Sequence, residues 1–334
     1  MPANKEYIEI ANELANKLNL PILSNEHNNW LFEKIYDNCL PISSYTYQSL
    51  DTYTICIKPM NNSLNSKPKC KSKRQTYSTM QLFFINFCPN PKSKLEQRLE
   101  KQVHQKGSKS LLKAVAPNKL GDNGNGAIMF DLNTGFGQDS IMMALGGASK
   151  VHMVERDPIV HFLLASIIHH LELVLYLVID KDNIRYNQEI TRARDLLKIL
   201  VLHQCDSVKF SKLARLSLLD QDQSKAIPRP DVYYFDPIFL PRTKSSTVKK
   251  NMQILYGLFQ NNHELIVDWI EEEWNLLNEA LLLAKKWVVV KRSIAALPLG
   301  SKDSKKNVLS VMKMPNYELK GSVNIFNVYV IWLL

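Results

Sequence analysis

Asp131-Leu132-Asn133-Thr134-Gly135-Phe136-Gly137-Gln138-Asp139 sets an acid at the end of an apolar run and follows it with two closely spaced glycines. Glycine lacks the Cβ that would keep a ligand away from the backbone, so such a turn lets main-chain N–H groups approach a ligand closely. Glu155 lies 20 residues after Gly135, at the end of a second apolar run, where a carboxylate can accept hydrogen bonds from the two hydroxyls of a ribose. Two ligand classes use such an acid, so Glu155 alone does not separate them. A dinucleotide site needs G-x-G-x-x-G, and the position of the third glycine is Ser140. An S-adenosylmethionine site needs the strand-end acid, the Gly-x-Gly turn and the second acid, and Asp131, Gly135, Gly137 and Glu155 supply them.

A second constellation, Asp236-Pro237-Ile238-Phe239, follows the apolar run Val232–Phe235. A carboxylate there can accept hydrogen bonds from an exocyclic amine and leave the nitrogen lone pair facing a methyl donor. Pro237 stiffens the turn and can aim a backbone carbonyl at the same amine. Phe239 can stack on a base, a contact worth about 1–3 kcal/mol in single-stranded nucleic-acid complexes. Methyl transfer from a sulfonium asks for alignment and desolvation more than for a strong base. Asp236 is therefore read as an orienting group. The basic, hydroxyl-rich stretch Pro241–Lys250 follows directly, and Arg242, Lys244, Lys249 and Lys250 suit phosphate contacts that position a nucleic acid without reading its sequence. Lys291 and Arg292 are expected to extend that positive rim.

Elements must bring these turns together. From residue 127 onward short apolar runs alternate with longer stretches: AIMFDL, KVHMVE, LVLHQC, DVYYFD and KKWVVVKR read as five strands. PIVHFLLASIIHHLELVLYLV reads as a long apolar helix, and VNIFNVYVIWLL as one more strand or a tight β pair. Strands alternating with helices imply an α/β fold with a mostly parallel sheet covered on both faces, and ligands of such sheets lie beyond the carboxyl ends of the strands. Upstream, residues 5–20 have helical spacing, 50–58 and 81–87 read as strands, and Leu95–Val103 and Leu111–Val115 read as helices. Residues 1–100 therefore form a small N-terminal α+β region, with a basic and disordered insertion at 61–75, and residues 101–334 form the catalytic domain.

Composition sets the remaining bounds. The chain has 334 residues, 45% of them hydrophobic and 22% charged, an ordinary globular balance. The formal charge of +10 favours a polyanionic partner. Five scattered cysteines form no C-x-x-C pair, so neither a disulfide framework nor a metal site is expected. No apolar run is long enough for a transmembrane helix, and the N-terminus is too acidic and interrupted for a signal peptide.

At these residues the sequence resembles the RsmJ family, bacterial small-subunit rRNA guanine-N2 methyltransferases, from about Gly107 to Tyr329. DLNTGFGQD resembles the family's DATAGLGRD, and VERDP its LERNP. DPIFLPRTKSSTVKKNM is similar to DPMFPHKQKSALVKKEM without a gap, and WVVVKR resembles RVVVKRP. The resemblance implies a Rossmann-like class I methyltransferase fold, S-adenosylmethionine as donor, and a guanine of small-subunit (16S) rRNA or its precursor particle as acceptor. Carried over by position, cofactor contacts fall on Gln138, Asp139, Glu155, Arg156, Asp206, Ser207 and Asp236, and Asp236, Pro237 and Phe239 are the catalytic set. Gln138 stands where the family pattern has arginine, and Asn133 where it has a small residue. The expected location is the cytoplasm, with a mitochondrial one left open. The alternatives are a class I methyltransferase acting on another amine (adenine N6 of RNA or DNA, or a protein amide) and a non-catalytic RNA-binding relative that keeps the fold.

Overall fold

The structure is a computed structural model that describes residues 97, 111–116, 119, 125–175, 184–218, 227–237, 269–294, 299, 314–321 and 324–331. All of them belong to one of the two units into which the chain divides, Asn86–Ser245 with His263–Leu334. The expected region 1–100 with its insertion at 61–75 lies outside the described residues, apart from Gln97.

Seven strands form one sheet. They are β1 (Ile128–Asp131), β2 (Lys150–Glu155), β3 (Leu200–Gln204), β4 (Val232–Phe235), β5 (Trp287–Ser293), β6 (Tyr317–Lys320) and β7 (Asn324–Val330). The order is β3-β2-β1-β4-β5-β7-β6. The first five strands run parallel, whereas β7 is antiparallel to both β5 and β6. This is the doubly wound order, with its switch point between β1 and β4, extended by an antiparallel pair. The Rossmann-like class I methyltransferase fold is thus the observed one. The tail of the chain contributes the single strand β7, and its hydrogen-bonded partner β6 comes from residues that show no alternation: three of its four side chains are exposed.

Six helices are described: α1 (Leu111–Val115), α2 (Gln138–Leu145), α3 (Pro158–Leu175), α4 (Ile184–Ile199), α5 (Ser207–Ser217) and α6 (Trp269–Leu283). The helix expected from Pro158 onward is α3. Helix α4 was not expected from the sequence pattern; its described buried side chains are Ile190, Ala193 and Leu196, set among many charged and polar residues. On one face of the sheet Phe130, Tyr233, Phe235, Val288 and Val290 pack with Phe210 and Ala214 of α5 and Leu277 and Ala280 of α6. Side chains alternate along a strand, so Asp131, Tyr234 and Lys291 share the opposite face. No helix among the described residues is long and apolar enough to cross a membrane.

Candidate active site

The site is set by the carboxyl ends of β1, β2, β4 and β5. After Asp131 the chain turns sharply, and Gly135 and Gly137 adopt φ of 53° and 71°, left-handed conformations that cost an L-residue with a Cβ about 1–2 kcal/mol. Gly137 caps α2, and its N–H donates to Thr134 O at 3.0 Å. Thr134 ties the turn to both neighbouring strands: its Oγ1 donates to Asp131 O at 3.0 Å and its N–H to Val154 O at 3.2 Å. Ser207 Oγ donates to Leu132 O, which fastens the start of α5 to the same turn.

Asp131 is buried, and its Oδ2 accepts from Ser140 Oγ of α2. Its other oxygen is buried without a hydrogen-bond partner, an arrangement folded proteins usually complete with a further donor. Burial, together with nearby Asp139 and Asp236, outweighs the Ser140 bond and pushes its carboxyl up to about 7. Glu155 is held by the backbone: Oε2 accepts from Gly135 N at 2.9 Å and Oε1 from Asp157 N at 2.8 Å. Burial raises its pKa to about 7 against those two bonds. The acid at the end of β2 is therefore locked to the glycine turn at the end of β1.

Asp206 caps α5, accepting from Lys209 N at 3.0 Å. Arg156 reaches Glu272 of α6 at 3.2 Å and Asp206 at 3.9 Å. The structure therefore brings Asp131, Gly135, Gly137, Gln138, Asp139, Glu155, Arg156, Asp206 and Ser207 to one end of the sheet.

Asp236 and Pro237 follow β4 directly, and Pro237 is buried. Strands β1 and β4 are hydrogen-bonded neighbours in the register Asp131↔Tyr234, so Asp236 emerges beside the glycine turn. Lys291 of β5 lies between the two: its Nζ is 2.7 Å from Asp139 Oδ2 and 2.6 Å from Asp236 Oδ2. Tyr234 OH donates to the same Asp139 oxygen at 2.6 Å. Burial raises the Asp236 carboxyl pKa, and Lys291 works against that shift. Burial also opposes the charge on Lys291, yet Asp139 and Asp236 together hold its pKa above the usual lysine range.

Lys291 is thus not the solvated rim residue that its sequence position suggested, since its side chain is only 18% exposed. Arg292 points to the other face and pairs with Glu273 of α6 at 3.3 Å. Phe239, Arg242, Lys244, Lys249 and Lys250 lie outside the described residues. Among the described residues no His, Cys, Asp and Glu cluster could hold a metal ion.

A family model described as "Putative SAM-dependent methyltransferase" matches residues 186–330. The ribosomal RNA small subunit methyltransferase J of Pseudoalteromonas atlantica is 30% identical over 207 residues, 61% of this chain and 62% of that protein. The enzyme of the same name from Saccharophagus degradans is 29% identical, with 63% and 65% covered. The chain therefore spans about three fifths of the length of the curated relatives it matches. A solved SAM-dependent methyltransferase from Neisseria gonorrhoeae superposes with a TM-score of 0.45 at 21% identity, covering 76% of each chain. The matches to the curated sequences support the resemblance to the RsmJ family read from the sequence.

Proposed function

We propose that this chain, a relative of the small-subunit rRNA methyltransferases J, binds S-adenosylmethionine at the β1–β2 end of its sheet and methylates the exocyclic N2 of a guanine in small-subunit rRNA. The observation that carries the reading is the adjacency of two turns: the glycine turn after β1 and the Asp-Pro turn after β4 leave neighbouring, hydrogen-bonded strands. A methyl donor held by the first is within reach of an amine oriented by the second.

The residues suit the donor. Gly135 and Gly137 leave room for close backbone approach, Glu155 offers a fixed carboxylate for ribose hydroxyls, and the unpartnered Asp131 oxygen offers an acceptor for an amino group. Asp139, Arg156, Asp206 and Ser207 complete the rim, with Gln138 in the first turn of α2. When bound, the cofactor supplies an electrophilic methyl group on a sulfonium.

The remaining work falls to the protein. An ionised Asp236 is an acceptor only. Guanine presents two adjacent donors, N1–H and N2–H, to such a carboxylate, whereas adenine sets the acceptor N1 beside its single amino group. An ionised Asp236 therefore favours guanine, fixing the amine while the lone pair of N2 faces the donor. Pro237 stiffens the turn and Phe239 supplies a stacking surface. Arg242, Lys244, Lys249 and Lys250 contact phosphates, and residues 1–100 help to hold the RNA, while 101–334 carry the chemistry in the cytoplasm.

Calorimetry with S-adenosylmethionine and mass spectrometry of small-subunit rRNA from cells with and without the gene test the reading. The wild-type protein binds the cofactor, and N2-methylguanosine at one site disappears with the gene. Asp236→Ala keeps the fold and lowers methyl transfer by about a hundredfold or more. Normal transfer by that variant would remove Asp236 from its orienting role.

A further inference from the structure

We infer that Lys291 is a positioning residue for methyl transfer: its ammonium, shared between Asp139 and Asp236, fixes the direction of the Asp236 carboxylate next to the glycine turn. The inference rests on the reading of Asp236 given above. Each carboxylate is reached at hydrogen-bond distance, 2.7 Å to Asp139 and 2.6 Å to Asp236, by a side chain 18% exposed. An ammonium withdrawn from water to this degree is retained only when anions compensate it, and here the compensation comes from both halves of the site.

Three acids converge around this one cation. Asp139 comes from the first turn of α2, Asp131 from the end of β1 and Asp236 from the end of β4, with the Tyr234 hydroxyl also on Asp139. Burial and Asp139 both press Asp236 toward its neutral form, and Lys291 is the described group that opposes them. A protonated Asp236 would keep one accepting oxygen and turn the other into a donor, so it could no longer accept from two adjacent N–H groups at once.

The backbone that carries Lys291 is held on both sides, by β4 in the register Phe235↔Val290 and by β7 in the register Lys291↔Phe326. Its ammonium is therefore a fixed post rather than a wandering surface charge. Because it also grips Asp139 in the first turn of α2, one side chain links the cofactor turn to the amine-orienting turn.

The test compares wild-type protein with Lys291→Met and Lys291→Arg, using small-subunit rRNA as acceptor. kcat and KM are measured across pH, with S-adenosylmethionine affinity measured by calorimetry. The Met variant is expected to lose about a hundredfold in kcat near neutral pH, with KM for RNA little changed. Its acid limb should move up by about one to three pH units, since an acid that loses its cationic partner keeps its proton to higher pH. The Arg variant restores the charge and brings the limb back toward the wild-type position. An acid limb that stays in place in the Met variant, or a wild-type kcat there, overturns the positioning role. Should the Met variant lose its cooperative melt, Lys291→Gln carries the same reading of the limb. A wild-type protein that binds no S-adenosylmethionine overturns the functional reading itself. Methyl transfer by the wild type with an unmoved limb in the variants overturns only the role of Lys291.

Discussion

Asp131 and Glu155, at the ends of neighbouring strands, are both held by burial at a pKa of about 7. For Asp131 the folded value stands above the ordinary 3.8, so between those values the folded chain binds the proton that the unfolded chain has lost. Its contribution to stability is therefore present at low pH and declines as pH rises through about 7. Asp131→Asn keeps an acceptor for Ser140 and removes the ionisation. Thermal melts of the ligand-free protein should show the gap widening in the variant's favour from pH 5 to pH 8, by several degrees. A gap that is the same at both pH values would contradict this account, and the variant should bind S-adenosylmethionine more weakly. Asp131, Glu155 and Asp236 were legible in the sequence because each ends an apolar run, whereas Asp139 and Asp206 came from the family resemblance. Lys291 was not, since a Lys-Arg pair after an apolar strand has the composition of a solvated edge. Only the register Phe235↔Val290 puts it beside Asp236.

Elements carry a different sensitivity. His152 of β2 and His203 of β3 meet across the strand pair, Nδ1 to Nε2 at 2.9 Å, so one ring donates and the other accepts. Burial, reinforced by His203, depresses His152 to about 4, and burial lowers His203 as well. The unfolded chain thus binds more protons than the folded one below the ordinary histidine pKa of 6.5, and stability falls as pH drops toward about 4. Once both rings are protonated, two donors face each other and this side-chain bond between β3, the end strand of the described sheet, and β2 is lost. Hydrogen exchange corrected for its intrinsic rate should show β3 amides losing protection between pH 6.5 and 4 while those of β1 keep theirs. Equal loss in both strands would show that the pair has no local role. The strands β1 to β5 were readable as short apolar runs at the expected places. Helix α4 was not, because three small or aliphatic buried positions on a polar helix leave little periodicity, and β6 has a mostly exposed surface with no alternation to detect.

The whole molecule carries a formal charge of +10, and its proposed partner is a polyanion. RNA affinity should fall linearly with salt on logarithmic axes. Replacing Arg242, Lys244, Lys249 or Lys250 singly by alanine should reduce the slope by about 0.7 for each single-strand phosphate that the variant no longer neutralises. S-adenosylmethionine affinity should be unchanged, and filter binding across a salt series reads the slope. A slope identical to wild type in all four variants would place the RNA elsewhere on the surface. The order of the sheet has one more consequence. Strand β5, with Val288, Val289 and Val290 followed by Lys291, has β4 on one side and β7 on the other. β7 is synthesised well after β5, so the growing chain holds a valine-rich edge with unsatisfied N–H and C=O groups until residues 324–330 arrive. Such an edge is a template for pairing with other chains. The interval between those two strands is therefore one in which the growing chain is exposed to aggregation, and in which a chaperone would help the yield.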